Sequence, residues 1–340
     1  MPWFTSSSPI WQSAPHLAPS MIPLAPSPGT LVCPSSLCSP GLPVFRSRAS
    51  LYTVPANHNV PGIHLGTSAF TAAGWEGSFY PAGMKPADYL TYYATKFDTV
   101  EVDSTFYRTP SAATVNGWAR KTPDGFIFSV KVPQAITHEK MLVGAEAEFK
   151  EFVETMELLG PKLGPMVLQF PYFNRTKFKS GGEFLKLLSA FMKKLPRGHQ
   201  FAVEIRNKSW LDARFAGALR DHNVALVLQD HAWMPRPAQL FDKFDPITAD
   251  FTYIRWLGDR KGIEQRTKTW DTVIVDRTQE LAEWVEIVRK AHKRRIQIFA
   301  YANNHYAGHA PETVEQFQQM LGPLEPAKPR RMEKERSLFD

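Results

Sequence analysis

The chain has 340 residues and a formal net charge of +7, and its two cysteines, Cys33 and Cys38, both lie near the N-terminus. A chain of this length buries a core without disulfide or metal staples, and residues 59–340 offer no thiol nucleophile and no cysteine ligand for zinc. No stretch approaches the roughly 18 consecutive apolar residues of a membrane-spanning helix, so the sequence predicts a soluble, cytoplasmic protein without a membrane partner.

Residues 1–58 differ in composition from the rest of the chain. They contain eleven prolines, their only charged residues are Arg46 and Arg48, and the first acid is Glu76. Such a stretch cannot bury enough apolar surface to offset its chain entropy, so we predict a disordered extension. A targeting segment is one alternative, since transit peptides are serine-rich and acid-poor. A wrongly assigned start is the other, and both interpretations stay open.

Eight short apolar runs between positions 62 and 304 form the most informative pattern. Helical patterns separate them, and strands that alternate with helices pair in parallel, so eight such units predict a closed barrel. The predicted fold is α/β, a single (β/α)8 TIM-type barrel over residues 61–322, followed by a flexible charged tail over 323–340. The runs are IHLGTS, FDTVEVD, FIFSVKV, PMVLQFP, FAVEIR, VALVLQD, FTYIRWLG and IQIFAYAN.

The segments after the first two predicted strands agree with the predicted barrel. The segment GTSAFTAAGWEGSFYP is rich in glycine and poor in helix formers, so Trp75 is predicted either to line the barrel mouth as a stacking platform or to pack inside a lid. Pro86 suits a first helical turn. Ser111 is a suitable cap for the helix that carries Val115 and Trp118.

Alternation along the strands predicts which side chains point into the barrel. FDTVEVD and FAVEIR each set a polar face against an apolar one, and the apolar faces belong under the helices. The polar faces therefore point inwards, and the C-terminal strand ends are where this fold carries its active sites. The residues turned inwards are Glu101, Asp103, Lys131, Val167, Gln169, Glu204, Arg206, Tyr253, Arg255, Phe299, Tyr301 and Asn303.

Six of these residues form a balanced cluster of charges at the predicted mouth. The carboxylates are Glu101, Asp103 and Glu204, and the cations are Lys131, Arg206 and Arg255. Buried charges are costly unless they are paired, and a purely structural ion network gains little over apolar packing. A ligand site is therefore favoured over a network that only fixes strand register, although both interpretations remain.

The chain resembles the YecE-like proteins, domain-of-unknown-function family 72, across nearly all of residues 62–321. The resemblance implies a TIM-type barrel and no established reaction. The matching segments are HLGTSAFTAAGWEGSFYP, FDTVEVDSTFYRTPS, GFIFSVKVPQAITH, LGPKLGPMVLQFP, FAVEIRNKSW, ITADFTYIRWLG and FAYANNHYAGHAPE. By motif, it draws attention to Glu101, Ser104, Thr105, Tyr107, Arg108, Lys131, His138, Gln169, Glu204, Arg206, Trp210 and Asn303.

The chain also departs from the family pattern at three turns. Asn207 stands where a histidine is common, Gln134 stands at an arginine position, and the sixth strand ends in Gln-Asp-His. These changes put a transferred proton relay or anion contact in doubt.

The inward-facing residues favour some reaction types over others. Glycoside hydrolysis needs two carboxylates on the order of 5–10 Å apart, but the fourth and seventh strands, where such barrels usually place them, carry Gln169 and Arg255. No histidine pair has metal-ligand spacing, so no cofactor is predicted, although Asp230 and His231 with Glu204 remain an alternative divalent site. Schiff-base chemistry requires a depressed lysine pKa, and nearby carboxylates oppose that, so Lys131 is predicted to be an electrostatic anchor.

The resulting hypothesis is an enzyme, a hydrolase or lyase, that acts on a small anionic or polyhydroxylated substrate. Glu101, Glu204 and Asp103 are the candidates for acid–base catalysis. The candidate substrate contacts are Lys131, Gln169, Arg206, Arg255, Asn303, Tyr107, Arg108 and Trp75. The alternatives are a nucleic-acid binding or processing barrel and a non-catalytic protein that binds small molecules.

The C-terminal tail bears on the nucleic-acid alternative. It ends in Ser337, Leu338 and Phe339, which resembles the short peptide that docks bacterial proteins on the DNA sliding clamp. Glu335 stands where glutamine is usual in that peptide. An unstructured basic tail is the competing interpretation.

Overall fold

A computed structural model describes residues 62–324 and shows eight parallel strands in one sheet. Their spatial order, β1-β8-β7-β6-β5-β4-β3-β2, is that of a nearly closed barrel, so the predicted TIM-type architecture is confirmed. The predicted extension over 1–58 and the clamp-like tail lie outside the described residues. The strands are β1 (Ile63–Thr67), β2 (Thr99–Val102), β3 (Ile127–Lys131), β4 (Leu163–Gln169), β5 (Phe201–Glu204), β6 (Ala225–His231), β7 (Phe251–Gly258) and β8 (Gln297–Ala302).

Helices connect the strands and cover the outside of the barrel. Ser111 caps α2 by accepting the Thr114 N–H at 3.2 Å, as its sequence position predicted. Within the described residues, no helix is long and apolar enough to cross a bilayer. The helices are α1 (Tyr89–Tyr93), α2 (Ala112–Arg120), α3 (Glu146–Met156), α4 (Gly181–Met192), α5 (Ala213–Arg220), α6 (Pro237–Phe241), α7 (Arg260–Glu264), α8 (Thr278–Lys293), α9 (Asn304–Ala307) and α10 (Ala310–Leu321).

The barrel interior below the mouth is a packed core, not a channel. Its side chains come from the strand faces that the alternation turned inwards, and the opposite faces are buried under the helices. Both sides of each strand therefore contribute to the core, which fixes the strand ends that carry the site. The interior cluster consists of Val167, Ala202, Ala225, Val227, Phe251, Tyr253, Phe299 and Tyr301.

The barrel closes between β1 and β2 through a side chain. These two described strands share no hydrogen-bonded ladder. The buried Tyr93 hydroxyl of α1 lies between them, where it accepts the Thr67 N–H at 2.9 Å and donates to the Thr99 carbonyl at 3.1 Å. A Cβ at Gly66 would lie 2.1 Å from the same carbonyl oxygen, so the close approach of β1 to β2 requires glycine there.

Candidate active site

Arg255 is the centre of the charge cluster at the C-terminal end of the barrel. Its Nη1 donates to Glu204 Oε2 at 2.6 Å and to Gln169 Oε1 at 3.1 Å, and its Nη2 donates to Glu101 Oε1 at 2.8 Å. The guanidinium is 2% exposed and both carboxylates are fully buried. A planar fork with fixed donors is suited to hold two carboxylates from β2 and β5 at once. The structure thus brings together residues that are far apart in sequence, as predicted.

Glu101 has a second buried donor, which the sequence did not assign. The Tyr253 hydroxyl on β7 donates to Glu101 Oε2 at 2.7 Å. Burial raises the pKa of Tyr253 well above its ordinary value, and the negative charge of Glu101 adds to the effect. Tyr253 therefore stays a neutral donor, and both oxygens of Glu101 are occupied.

A layer of hydroxyls lies beneath this pair. The Tyr301 hydroxyl lies 2.6 Å from Ser129 Oγ and 2.8 Å from Thr99 Oγ1, and Thr99 donates in turn to the Ile127 carbonyl. Burial raises the pKa of Tyr301 well above its ordinary value. Each of these three hydroxyls has a hydrogen-bond partner and none is charged. The layer therefore supports the charged residues from below without adding a charge.

Glu204 connects Arg255 to Arg206, which lies nearer the opening. Its Oε1 contacts Arg206 Nη2, and the Arg206 side chain is 18% exposed. Burial alone would raise the pKa of Glu204, but Arg206 and Arg255 outweigh it and lower the value to about 2. Glu204 is therefore ionised at neutral pH. The Nη1 of Arg206 has no hydrogen-bond partner among the described residues.

Lys131 is the third basic group of the cluster, and its pKa is shifted in the direction opposite to the prediction. The ammonium lies 3.8 Å from Glu101 Oε1, and the side chain is 10% exposed. Burial lowers its pKa, the positive charge of Arg255 adds to this, and the nearby carboxylates only partly oppose it. The expectation that carboxylates dominate the pKa of Lys131 was wrong because it left out desolvation.

Asp103 is the carboxylate that Arg255 does not hold. It follows β2 at the start of a short 3-10 helix, Asp103–Phe106, and it is only partly buried. Desolvation raises its pKa, against the lowering effect of Lys131. Asp103 and Lys131 are thus both shifted towards their neutral forms.

Two imidazoles lie at the same end of the barrel, His138 after β3 and His231 at the end of β6. His138 packs edge-on against Phe106 with ring centroids 4.9 Å apart, which joins the loops after β2 and β3. At the end of β6, burial and then the positive charge of Arg206 lower the pKa of His231 to about 4. Both imidazoles are neutral at pH 7, since burial also lowers the pKa of His138.

The remaining predicted contacts lie at different depths. Tyr107 is 72% exposed, and Arg108 is exposed beside it. Asn303 caps α9, where its Oδ1 accepts the His305 N–H at 2.9 Å. Trp75 is only 1% exposed, and its indole N–H donates to Asn304 Oδ1 at 3.2 Å. The ring is enclosed by Phe79 and Tyr80 of the first loop and by His309. The stacking-platform interpretation of Trp75 was therefore wrong, and the lid-packing alternative holds.

The alternative divalent site does not assemble. Asp230 Oδ2 accepts hydrogen bonds from Trp284 at 3.0 Å, Tyr306 at 3.0 Å and Arg236 at 2.8 Å, all outside the barrel interior. The carboxylate therefore faces the helices while Glu204 faces the mouth. Among residues 62–324, no cluster of three histidine, cysteine or acidic side chains is arranged to hold a metal ion.

Asn207 has a structural role that its departure from the family pattern did not reveal. Its side-chain Oδ1 accepts the Phe173 N–H at 2.9 Å, and its Nδ2 donates to the Phe173 carbonyl at 2.8 Å. Both groups of one amide thus pair with both backbone groups of one residue. The loop after β4 is fixed to the loop after β5 by this contact.

Comparisons with known sequences find one family and several relatives. Residues 64–336 match the family described as "Protein of unknown function DUF72". The chain is 32% identical over 215 residues to the UPF0759 protein YecE of Escherichia coli K12, covering 57% of this chain and 74% of that protein. It is 24% identical over 279 residues to the UPF0759 protein YunF of Bacillus subtilis, covering 76% of this chain and 94% of that protein.

Two solved structures of similar proteins have the same overall fold. A DUF72 family protein from Thermotoga maritima superposes with a TM-score of 0.61 at 28% identity, covering 77% of this chain and 99% of that chain. A DUF72 family protein from Enterococcus faecalis has a TM-score of 0.59 at 23% identity and covers 80% of this chain, a likeness that shows the fold alone.

Proposed function

The chain belongs to the DUF72 family, and from the barrel mouth itself we propose a hydrolase or lyase that acts on a small anionic or polyhydroxylated substrate. One observation supports this most directly. Both Nη atoms of Arg255 are held by Glu101 and Glu204, while Arg206 and Lys131 keep donor capacity at the edge of the opening. Guanidinium and ammonium groups that converge on one opening are suited to bind an oxyanion.

The charge balance supports an anionic substrate. The two buried glutamates face three cations, which leaves one positive charge that only Asp103 can offset within the cluster. The pKa shifts of Asp103 and Lys131 both favour neutral forms. A negative charge beside Arg206 and Lys131 would raise the pKa of both Lys131 and Asp103. Any change in protonation on binding should therefore be an uptake of protons.

The proposed roles of the three acids differ. Asp103 is the preferred general acid or base because it is partly accessible and its pKa is raised towards neutrality. Glu204, with a pKa of about 2, has no proton to donate near pH 7. We assign Glu101 and Glu204 to positioning Arg255, with Tyr253 as the further donor to Glu101.

Calorimetric titration with inorganic phosphate and glycerol phosphate tests the binding step. We expect Arg206→Gln to weaken binding roughly tenfold or more, as for a lost charged hydrogen bond, and titration in buffers of different ionisation enthalpy to report proton uptake. Failure of the unaltered protein to bind either anion would overturn the anion site and leave a structural ion network in its place.

The catalytic step is tested on nitrophenyl phosphate monoesters, phosphate diesters and carboxylate esters. We expect Asp103→Asn to lower turnover roughly a hundredfold or more, while phosphate binding is retained. Phosphate binding without turnover of any ester would contradict the hydrolase and leave a lyase or a binding protein. Turnover that is unchanged in Asp103→Asn would contradict the role of this carboxylate.

A further inference from the structure

Exposed aromatic side chains are concentrated at the end of the barrel that carries the site. Large exposed apolar side chains in the described residues include Tyr107, Val143, Tyr172 and Trp233, which are 72%, 63%, 69% and 67% exposed. They follow β2, β3, β4 and β6, and parallel strands deliver all such loops to the same end. We call the loops 103–111, 132–145, 170–180, 205–212 and 232–236 the open arc.

The open arc is also strongly basic. It carries eight lysine and arginine residues and three acids, and the loop 170–180 contains Arg175, Lys177 and Lys179 with no acid. The loops on the other side of the mouth, 68–88, 259–277 and 303–309, carry six basic and six acidic residues. The basic excess is therefore confined to the side of the mouth that exposes aromatic rings.

The exposed rings are held by ordered neighbours. Tyr172 precedes Phe173, whose backbone N–H and carbonyl are both bound by the buried Asn207 amide. The Trp233 ring packs against His231 with centroids 5.4 Å apart, and the Trp233 backbone N–H donates to His231 Nδ1 at 3.3 Å. Tyr107 packs on Phe106 at 5.6 Å. A fixed backbone reduces the entropy lost when such a ring binds a ligand.

We propose that the open arc binds single-stranded nucleic acid, with bases stacked on Tyr107, Tyr172 and Trp233 and a phosphate at Arg206 and Lys131. Grooves that combine cations with exposed aromatic rings bind such strands without sequence preference, because every base offers a flat face. This goes beyond the proposed function, because a nucleic-acid strand is larger than the small substrate proposed there; its anion-binding part rests on that function, and its stacking part does not.

The donor inventory favours this ligand over an anionic polysaccharide. Lysine and arginine only donate hydrogen bonds, which matches a phosphate backbone that only accepts. A sugar polymer also needs acceptors for its hydroxyls. Asp212, one of the three acids of the open arc, already caps α5 by accepting the Phe215 N–H at 2.7 Å. Duplex DNA is disfavoured because its bases are stacked within the helix.

Fluorescence anisotropy with two labelled oligomers of about 12 units, within the usual site size of such proteins, separates the two parts. One is oligo-dT, and the other is an abasic oligomer with the same phosphates. We expect Tyr172→Ala and Trp233→Ala each to weaken oligo-dT binding roughly tenfold, with little change for the abasic oligomer. Tyr172→Phe keeps the ring and should bind as the unaltered chain does. Leu158→Ala is the matched control, since Leu158 is 42% exposed before β4, at the opposite end of the barrel.

The charge is tested with Lys177→Gln combined with Lys179→Gln. This pair should weaken both oligomers and reduce the salt dependence of binding. Absence of oligo-dT binding at low salt, equal losses on both oligomers in the aromatic variants, or tighter binding of heparin than of oligo-dT would overturn the inference. Oligo-dT binding that is insensitive to Arg206→Gln would keep the stacking surface and contradict the proposed phosphate subsite, so the two proposals fail separately.

Discussion

The two sides of the barrel mouth use aromatic residues differently. In the loops after β1, β7 and β8 the aromatic rings are partly or fully buried. Trp75 is 1% exposed and packs edge-on against His309, with centroids 6.4 Å apart. The Trp270 backbone N–H donates to the Ala73 carbonyl at 2.9 Å, which connects the loop after β7 to the loop after β1. We call these three loops the packed wall. In the open arc, Tyr172 and Trp233 are about two-thirds exposed.

The buried rings of the packed wall contribute to folding stability, whereas the exposed rings of the open arc are available for ligand recognition. Burial removes apolar surface from water and stabilises the fold, whereas an exposed ring contributes little to the folded state. A side chain that is large, fixed and exposed is therefore available to a ligand at small cost to stability. Substitutions in the packed wall should affect unfolding, and substitutions in the open arc should affect binding.

The largest contrast is expected between two tryptophans. Trp75→Ala should lower the free energy of unfolding by about 3–5 kcal/mol, because it leaves a cavity and removes one of the two hydrogen bonds that Asn304 Oδ1 accepts. Trp233→Ala should change it by less than about 0.5 kcal/mol. Urea unfolding followed by circular dichroism measures both values. Similar losses in the two variants would remove the distinction between the wall and the arc.

Two glycines give the next largest contrast. Gly308 in the wall has φ +117°, and a Cβ there would lie 2.5 Å from the Thr272 carbonyl oxygen. Gly144 in the arc has φ +61° with no heavy atom of the described residues within 4 Å of that position. We expect Gly308→Ala to cost more than about 2 kcal/mol and Gly144→Ala about 1 kcal/mol, the intrinsic left-handed penalty. Equal melting temperatures would contradict the close packing of the wall.

Asn207 tests whether the arc is held in place. Asn207→Ala leaves the buried N–H and carbonyl of Phe173 unpaired, so we expect a loss of about 1–3 kcal/mol in unfolding free energy. Amide hydrogen exchange should increase in residues 170–180 and stay unchanged in the wall. Unchanged exchange in that loop would mean that other contacts fix it.

The smallest contrast concerns histidines and pH. Burial lowers the folded pKa of His231, which directly precedes the arc loop 232–236, to about 4, and it lowers that of His309 in the wall. A lowered folded pKa means that the unfolded chain binds more protons, so this stability is present above the ordinary value of about 6.5 and is lost as pH falls towards 4. We expect His231→Asn to flatten the decline between pH 6.5 and 4 more than His309→Asn. A larger effect of His309→Asn would reverse the assignment.

The strands and their inward faces could be predicted because strand side chains alternate strictly. Glu101, Lys131, Glu204 and Arg255 lie on the predicted face for this reason. Alternation gives the face of a side chain but neither its depth nor its partner. It therefore did not reveal that Arg255 holds both glutamates, that Tyr253 donates to Glu101, or that desolvation dominates at Lys131.

The loops could be predicted less well. Trp75 and Trp233 both follow a strand end in a sequence rich in small and turn-forming residues, and nothing local distinguishes the enclosed ring from the exposed one. The outcome depends on which loops pack against each other across the mouth. Asn207 shows the same limit, because its partner Phe173 lies 34 positions away.

The phenol that joins β1 to β2 bears on how the barrel avoids association with other chains. Strands without a ladder are the edges through which sheets recruit foreign strands, and barrels escape this hazard by having no edge. Here one hydroxyl from α1 occupies the Thr67 N–H and the Thr99 carbonyl, while Gly66 keeps the two strands too close for an intruding strand. Loss of that hydroxyl, as in Tyr93→Phe, would expose a pairing edge, and the resulting defect would be aggregation rather than lost chemistry.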